Sequence, residues 1–401
     1  MKLKDVIESA NTGLDAIQRA PIVNYDTGIK CLRIGDISQK NNFENWGFSK
    51  VNEENYKKFK LKKNDILIAR TGNTIGVNII IKKDLNSVYN NGLIRLRIKN
   101  KYNPVYIYYL IQSKKFNNYI KSICFGTSTQ PNMKINDLLE FEIPNIELNK
   151  QSKIANILEK LDNKIELNNQ TNDNLLDISQ TIYDNYIKEN SDLKYSKIMD
   201  LNPRLETGKR PSGGVNEINS GVPSIGAESI KGLGFFDYSK TKYISEEYFT
   251  KMKKGIVKGY EVLIYKDGGR PGYFTPNFSM FGEGFPYNKC ALNEHVFLLD
   301  FNDIKFNVFA YYYFNSIETR NKLHVLGSKS AAIPGINQQD ILNLEIPSVE
   351  NKSINEIIDI LMLNTKKILK NSYQNYTLAK LRDTLLPKLM NGEIDLDKIE
   401  I

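Results

Sequence analysis

Two glycine-punctuated loops carry the side chains best suited to matching another molecule's hydrogen-bonding edge. RTGNTIG (70–76) holds Arg70, Thr71, Asn73 and Thr74, and KDGGRPG (266–272) holds Lys266 and Arg270. A guanidinium fork donates two parallel hydrogen bonds, and an amide donates and accepts at once. Those capacities match the edges of guanine and adenine, while Thr and Lys suit phosphate oxygens. Glycine lets such a loop approach its partner closely. Ser128, Thr129 and Gln130 in one half, and Ser328, Lys329 and Ser330 in the other, precede an Ile-Pro strand and are candidates to grip backbone or bases. Lys209 and Arg210 in TGKRPSGG add cations suited to phosphate. Ordinary tight turns whose polar residues face water use the same residue types, so composition of the loops does not separate the two readings.

Groups that could perform covalent chemistry are sparse. The sequence has no NPPY or DPPY tetrad for amino-group methylation, no GxxxxGK phosphate loop and no dinucleotide-type glycine fingerprint. Asp340 with Glu350-Asn351-Lys352 brings together acid, acid and lysine, a set that can hold a divalent metal and activate water. It lies at a strand-to-helix junction, however, and its first-half counterpart reads Glu147-Leu148-Asn149. His295 and His324 are the only histidines, and neither has a motif-like neighbour that would make it a base. Cys31, Cys124 and Cys290 are an odd, scattered set without CxxC spacing, which argues against disulfides and structural zinc. No catalytic residue, metal or cofactor is expected.

The elements that must position the loops follow from length and pattern. The chain has 401 residues, enough for two or three domains and a sizeable core. Hydrophobic residues at 41% and charged residues at 25% are globular values, and no apolar run of about 18 residues is present to span a membrane. The start, MKLKDVIESANTG, lacks an apolar signal core. A reducing, cytoplasmic location is expected. Net charge +9 and pI near 9.0 favour a polyanionic partner without requiring one. The 23 tyrosines and 18 phenylalanines are read as core and strand residues rather than base-stacking platforms.

The second half repeats the first. Thr12-Gly13 answers Thr207-Gly208, LRIGDIS (32–38) answers PSIGAES (223–229), and DILIARTGNTIG (65–76) answers EVLIYKDGGRPG (261–272). VYIYYL (105–110) and DLLEFEIP (137–144) recur 203 residues later as VFAYYY (308–313) and DILNLEIP (340–347). The expected fold is α/β (α+β): two similar mixed globular domains joined by two long antiparallel helices in a coiled coil, with pseudo-twofold internal symmetry. The expected boundaries are 1–147 for the first domain, 148–190 for the central helix, 191–350 for the second domain, and 351–401 for the C-terminal helix and tail. The helices themselves are expected at about 150–188 and 353–391.

The central helix carries a heptad-like stripe of Leu158, Leu161, Ile165, Asn168, Asn172 and Leu175. A shift of 203 lays this onto Leu361, Asn364, Ile368, Asn371, Asn375 and Leu378, so paired asparagines recur in both helices. Antiparallel pairing would place all four in one polar layer. Buried Asn lowers stability but specifies register, because a slip sets an amide against leucine. The repeat is imperfect, since Leu161 falls on Asn364 and Ser179 on Arg382.

In the order and duplication of these segments the chain resembles the DNA-specificity subunits of type I restriction-modification systems. The resemblance rests on GDIS, DILIARTGNTIG, GTSTQPN (126–132) and IPNIELNKQSKIANILEKLDNKIE (143–166) in the first half. TGKRPSGG (207–214), GSKSAAIPGINQQDILNLEIP (327–347) and LAKLRDTLLPKLMNGEI (378–394) carry it in the second. It implies two target-recognition domains, each reading half of a split sequence in double-stranded DNA, with the helices setting the gap. It implies docking of two modification (methyltransferase) subunits, through which ATP-dependent restriction subunits join. Methylation and cleavage would then belong to the partners. The family-like series Gln151, Ile154, Leu158, Leu161, Asp162 and Ile165 lacks its Gln and Asp in the second helix, which puts equal docking of two modification subunits in question. A coiled-coil assembly scaffold without DNA specificity is the alternative from another class, and a nuclease a third.

Overall fold

The computed structural model describes residues 1–39, 41–124, 131–190, 192–211, 214–215, 219–329, 334–348 and 352–396. Two compact units form: Met1–Asn163 with Ala379–Ile401, and Lys164–Leu378. Each of the long helices, Leu148–Glu189 and Lys352–Met390, therefore contributes one stretch to each unit.

In the first unit the strands Ile7–Thr12, Leu93–Ile98, Ile66–Ala69 and Asn78–Ile80 form an antiparallel sheet in that spatial order. The DILIA segment is its central strand. Ile66–Ala69 is buried throughout, so its sequence is a continuous apolar run rather than an alternating one. A second sheet is ordered Ile22–Val23, Phe48–Ser49, Lys30–Leu32, Ser87–Tyr89, and its last two strands run parallel. The helices Pro104–Gln112 and Lys114–Cys124 bury Tyr106, Ile107, Leu110, Phe116 and Ile120 in the core with Leu138 and Leu158.

The second unit repeats this topology. Arg204–Thr207, Val296–Asp300, Val262–Tyr265 and Asn277–Met280 follow the same order, with Gly232–Leu233 added at the edge. Lys242–Ile244, Val222–Ile225, Cys290–Leu292 and Ile256–Val257 make the smaller sheet, again with one parallel pair. Charge has been exchanged between equivalent strands. In the first unit Arg97 Nε donates to Asp65 Oδ1 at 2.8 Å; in the second, Arg204 Nη2 donates to Asp300 at 3.1 Å and Glu261 at 3.4 Å. Asp65 and Glu261 are both buried and both accept from the turn preceding the central strand, at Lys62 N and Lys258 N.

The long helices pair antiparallel. Within the second unit Asn168 Nδ2 donates to Asn375 Oδ1 at 2.8 Å, and Asn371 Nδ2 donates to Asn172 Oδ1 at 2.8 Å. Asn364 Nδ2 donates to Ser179 Oγ at 3.0 Å further along. In the first unit Arg382 Nη1 donates to Asp162 Oδ1 at 2.7 Å. The residues that break the repeat, Asn364, Ser179 and Arg382, are thus polar groups that find partners within their own units. Leu158, Leu361 and Ile368 are buried, while Leu161, Ile165, Leu175 and Leu378 are half-buried.

The family-like series of the first helix faces its own unit. Gln151 is 2% exposed; its Oε1 accepts from Asn103 N at 2.9 Å and its Nε2 donates to the Ile146 carbonyl at 2.7 Å. Asp162 accepts from Tyr109 Oη at 2.7 Å as well as from Arg382. The second helix has Thr365 at the equivalent place, and Thr365 Oγ1 shares a 3.0 Å bond with the hydroxyl of Tyr312, the counterpart of Tyr109. Loss of the Gln and Asp from the second helix therefore changes packing inside that unit, where Thr365 and Tyr312 replace the carboxylate contact.

Two outcomes follow. Asn371→Leu leaves the Asn172 carbonyl without its partner in a buried seam and should cost about 1–3 kcal/mol by urea unfolding. Asn172→Leu combined with Asn371→Leu should recover much of that loss, and additive single effects would show that the amides do not interact. All three cysteines are free and buried, and burial pushes the Cys31 and Cys290 thiols up to about 12. With so little thiolate at pH 8, a thiol-disulfide reagent should react slowly with native protein and at all three positions after denaturation.

Candidate nucleic-acid interface

The two loops that follow the central strands are held by the same backbone bonds. In the first unit Met133 N donates to Arg70 O at 2.8 Å and Gly72 N to Pro131 O at 3.3 Å. In the second, Ile336 N donates to Lys266 O at 2.9 Å and Gly268 N to Pro334 O at 3.3 Å. Met133 and Pro131 lie 203 residues before Ile336 and Pro334. Each loop is therefore clamped to the segment that precedes the short helix before the Ile-Pro strand. The scaffold is shared; what it presents differs.

In the first loop Gly72 and Gly76 adopt φ +75° and +89°, a left-handed backbone that other residues rarely take. Asn73 at its tip is exposed, and Thr71 and Thr74 are half-buried. The Arg70 guanidinium donates from Nη2 to Asn132 Oδ1 at 3.0 Å, while its Nε is buried without a hydrogen-bond partner among the described residues. A neutral amide holds this cation, and it makes no ion pair among the described residues. Ser128, Thr129 and Gln130 lie outside the described residues.

In the second loop Gly269–Arg270 pairs with Tyr273–Phe274 as a small hairpin. Arg270 is exposed, and its guanidinium carbon sits 5.4 Å from the centroid of the Tyr273 ring. Among the described residues it has no carboxylate partner. The hairpin is anchored from the helix Ile317–Gly327 and the residue after it: His324 Nδ1 donates to Phe274 O at 2.5 Å, and Phe274 N donates to Ser328 Oγ at 2.9 Å. Ser328 thus serves the hairpin backbone. Lys329 is exposed, and Ser330 lies outside the described residues.

Lys266 and Arg210 are brought into one charge network that sequence reasoning missed. Lys266 Nζ lies 3.2 Å from Asp267 Oδ2, which accepts from His295 Nδ1 at 2.7 Å. His295 Nε2 is 3.4 Å from Glu294 Oε1, and Arg210 Nε is 3.3 Å from that same oxygen. The carboxylates of Asp267 and Glu294 largely cancel both cations, unlike Arg70 and Arg270, which have no carboxylate partner among the described residues. Lys209, next to Arg210, is exposed and makes no ion pair among the described residues. The only signal in the sequence was Asp267 beside Lys266; Glu294, next to His295, is far in the chain from Arg210, and only the fold shows that they meet.

No cluster of metal-ligating side chains occurs among the described residues. Asp340 is occupied in a helix cap, accepting from Asn337 N at 2.8 Å while its own N–H donates to Asn337 Oδ1 at 3.1 Å. Glu350 and Asn351 lie outside the described residues. No described helix is long and apolar enough to cross a membrane.

A duplicated α/β unit, built around one loop scaffold with two sets of donors, has the architecture of a tandem recognition protein. The family model for the type I restriction modification DNA specificity domain matches residues 1–177 and again 190–375. The chain belongs to that family and carries its domain twice. It is 24% identical over 347 residues to the type I restriction enzyme MjaIX specificity subunit of Methanocaldococcus jannaschii, covering 81% of this chain and 76% of that one. The putative MjaX specificity subunit of the same organism is 24% identical over 373 residues, with coverage of 86% and 81%. The fold matches the crystal structure of a type I restriction-modification S subunit from M. genitalium with a TM-score of 0.54 at 17% identity, over 97% and 95% of the two chains.

The hairpin anchor is open to test. A Cβ on Gly327 would lie 2.4 Å from the Phe274 ring, so Gly327→Ala must displace that ring and the hairpin carrying Arg270. Overpacking of this kind costs about 1–3 kcal/mol. A lowered unfolding midpoint is expected; an unchanged one would mean the ring moves freely aside.

Proposed function

We propose that this chain supplies the address for a type I restriction-modification complex, reading a bipartite DNA target with one half per unit. Adenine methylation and cleavage are carried out by partner subunits, and the chain itself is a non-catalytic specificity subunit. The observation that carries this reading is one specificity domain present twice, with equivalent backbone clamps and unlike side chains: Arg70 and Asn73 in the first unit, Lys266 and Arg270 in the second. Its partners are duplex DNA, methyltransferase subunits at two copies in keeping with the duplicated architecture, and restriction subunits joined through them. Arg70 and Arg270, which make no ion pair among the described residues, are the favoured base contacts; Thr71, Thr74 and Lys209 suit phosphates. Lys266 and Arg210 act through the carboxylate network as positioning groups.

The test is modular. In the assembled complex, Asn73→Ala should relax discrimination in one half of the target and Arg270→Ala in the other. Each lost bidentate base contact costs about 1–3 kcal/mol, roughly 5- to 150-fold in the preference for the correct base. Methylation mapping with each variant reads this directly. Equal changes in both halves would overturn the assignment of one reader per half. A scaffold without DNA specificity would instead assemble normally and give methylation patterns indifferent to both substitutions.

A further inference from the structure

We propose that a lysine-lined groove on the second unit is a track for the DNA sugar-phosphate backbone, and that the first unit carries its counterpart. This rests on the DNA-reading function above and adds Lys251, Lys253 and Lys254, which the loop chemistry did not single out, to Lys209. The groove has a volume of about 630 Å³ and runs between the end of strand Arg204–Thr207 and the short helix Glu246–Lys251 with the residues that follow it. Lys209, Lys251, Lys253 and Lys254 line it, with Tyr248 and Met252 between them.

Its charge is available. Lys209, Lys253 and Lys254 are exposed and make no ion pair among the described residues. Lys251 is paired only with Glu247, one helical turn away, and both side chains are more than 70% exposed. Such a pair is worth little and leaves Lys251 able to exchange partners. Four ammonium groups along one groove repel each other unless an anion with several charges lies among them.

The groove is also built rather than incidental. Gly255 has φ +72°, and a Cβ there would lie 2.4 Å from Gly208 Cα, so the loop carrying Lys253 and Lys254 is pressed backbone to backbone against the residue before Lys209. The Gly255 N–H donates to the buried Glu206 carboxylate at 2.8 Å, and Gly255 O accepts from Leu292 N at 2.7 Å. Tyr248 Oη donates to Lys209 O at 3.3 Å across the groove. The lysines are flexible tips on a fixed bed.

Position and repetition select the occupant. At Thr207 this groove meets another, of about 490 Å³, lined by Lys266 and Gln338, so the lysines continue the surface that presents the second reading loop. The first unit repeats the helix and its lysines. Its short helix Glu53–Phe59 is capped by Asn52, as Glu246–Lys251 is by Ser245; both open with Glu-Glu and run into lysines. Lys58, Lys62 and Lys63 are exposed there without ion pairs among the described residues. A duplex offers each unit the repeated phosphates that such a row of lysines suits, whereas an acidic peptide or a single phosphate gives no reason for the arrangement to recur in both units.

The full chain is tested with a labelled random-sequence duplex, with affinity measured from about 50 to 200 mM salt, where each phosphate contact contributes a slope of about −0.9 in log K against log salt. Lys209→Gln, Lys253→Gln and Lys254→Gln combined should make the slope shallower by about 2 to 3. The corresponding Lys→Arg variant should restore it. Neutralising Lys366, Lys367 and Lys370 on the long helix is the charge-matched control and should change the slope much less. In the assembled complex the triple variant should weaken methylation at all sites while preserving the target sequence. An unchanged slope, or a control as severe as the groove variant, overturns the track and leaves the DNA-reading function standing. Absence of salt-dependent DNA binding by the unsubstituted chain and its complex overturns both. Displacement of the duplex by polyglutamate at equal charge concentration would show a general polyanion site instead.

Discussion

Burial of amides in the helix pair is the constraint on which the remaining packing depends. Asn168 and Asn371 are each 2% exposed, and each must find a partner because a buried amide without one costs more than the bond it would have made. They find partners only in one register, with Asn168 against Asn375 and Asn172 against Asn371. Once that register holds, Ser179 meets Asn364, and Thr365 comes within reach of Tyr312 in the same unit. In the other unit Arg382 reaches Asp162, which also takes the Tyr109 hydroxyl. A slip of one turn would set leucines against amides throughout.

The same geometry explains how the repeat diverged without losing its fold. Tyr109 and Tyr312 occupy equivalent places and both bond the long helix, yet one meets a carboxylate and the other a threonine hydroxyl. Arg97 with Asp65 in one sheet becomes Arg204 with Asp300 and Glu261 in the other, so the positive charge has moved to the neighbouring strand. Ion pairs half-shielded by a sheet are satisfied from either side, provided the pair is kept. Backbone clamps are less free to change, because they depend on chain position rather than side-chain identity, and both loops retain them. Side chains at the loop tips, facing outward, are where two recognition specificities can differ at little cost to stability.

Charge at the surface is partitioned rather than uniform. The net +9 does not fall equally on all candidate cations. Arg210 and Lys266 are cancelled by Glu294 and Asp267 with His295 between them, whereas Arg70 is held by a neutral amide and Arg270 lies over a tyrosine ring. Groups that must order a loop are best held by opposite charge, and groups that must bind an anion or a guanine edge are best left without one. His324 and Gly327 order the Arg270 hairpin without charge, one through the Phe274 carbonyl and the other by packing against the Phe274 ring.

The sequence by itself determined the twofold repeat, the two long helices, their antiparallel pairing and the recurrence of asparagines at matching places. These are local or periodic properties: apolar spacing marks a helix, and segments that recur in the same order, from residue 105 onward at an offset of 203, mark equivalence. It also marked the two loops, because glycines and forked polar side chains are adjacent in the chain. Only the tertiary structure decided which of those side chains are free. Asp267 meets His295, Gly208 meets Gly255, and Phe274 leans on Gly327 across separations that no periodicity spans. Gln151 and Asp162 belong to the family-like series, and only the structure shows that they bond Asn103, Tyr109 and Arg382. Whether a polar residue on a helix faces solvent or a neighbouring element depends on what folds against it, and that is a property of the assembled unit rather than of the residue.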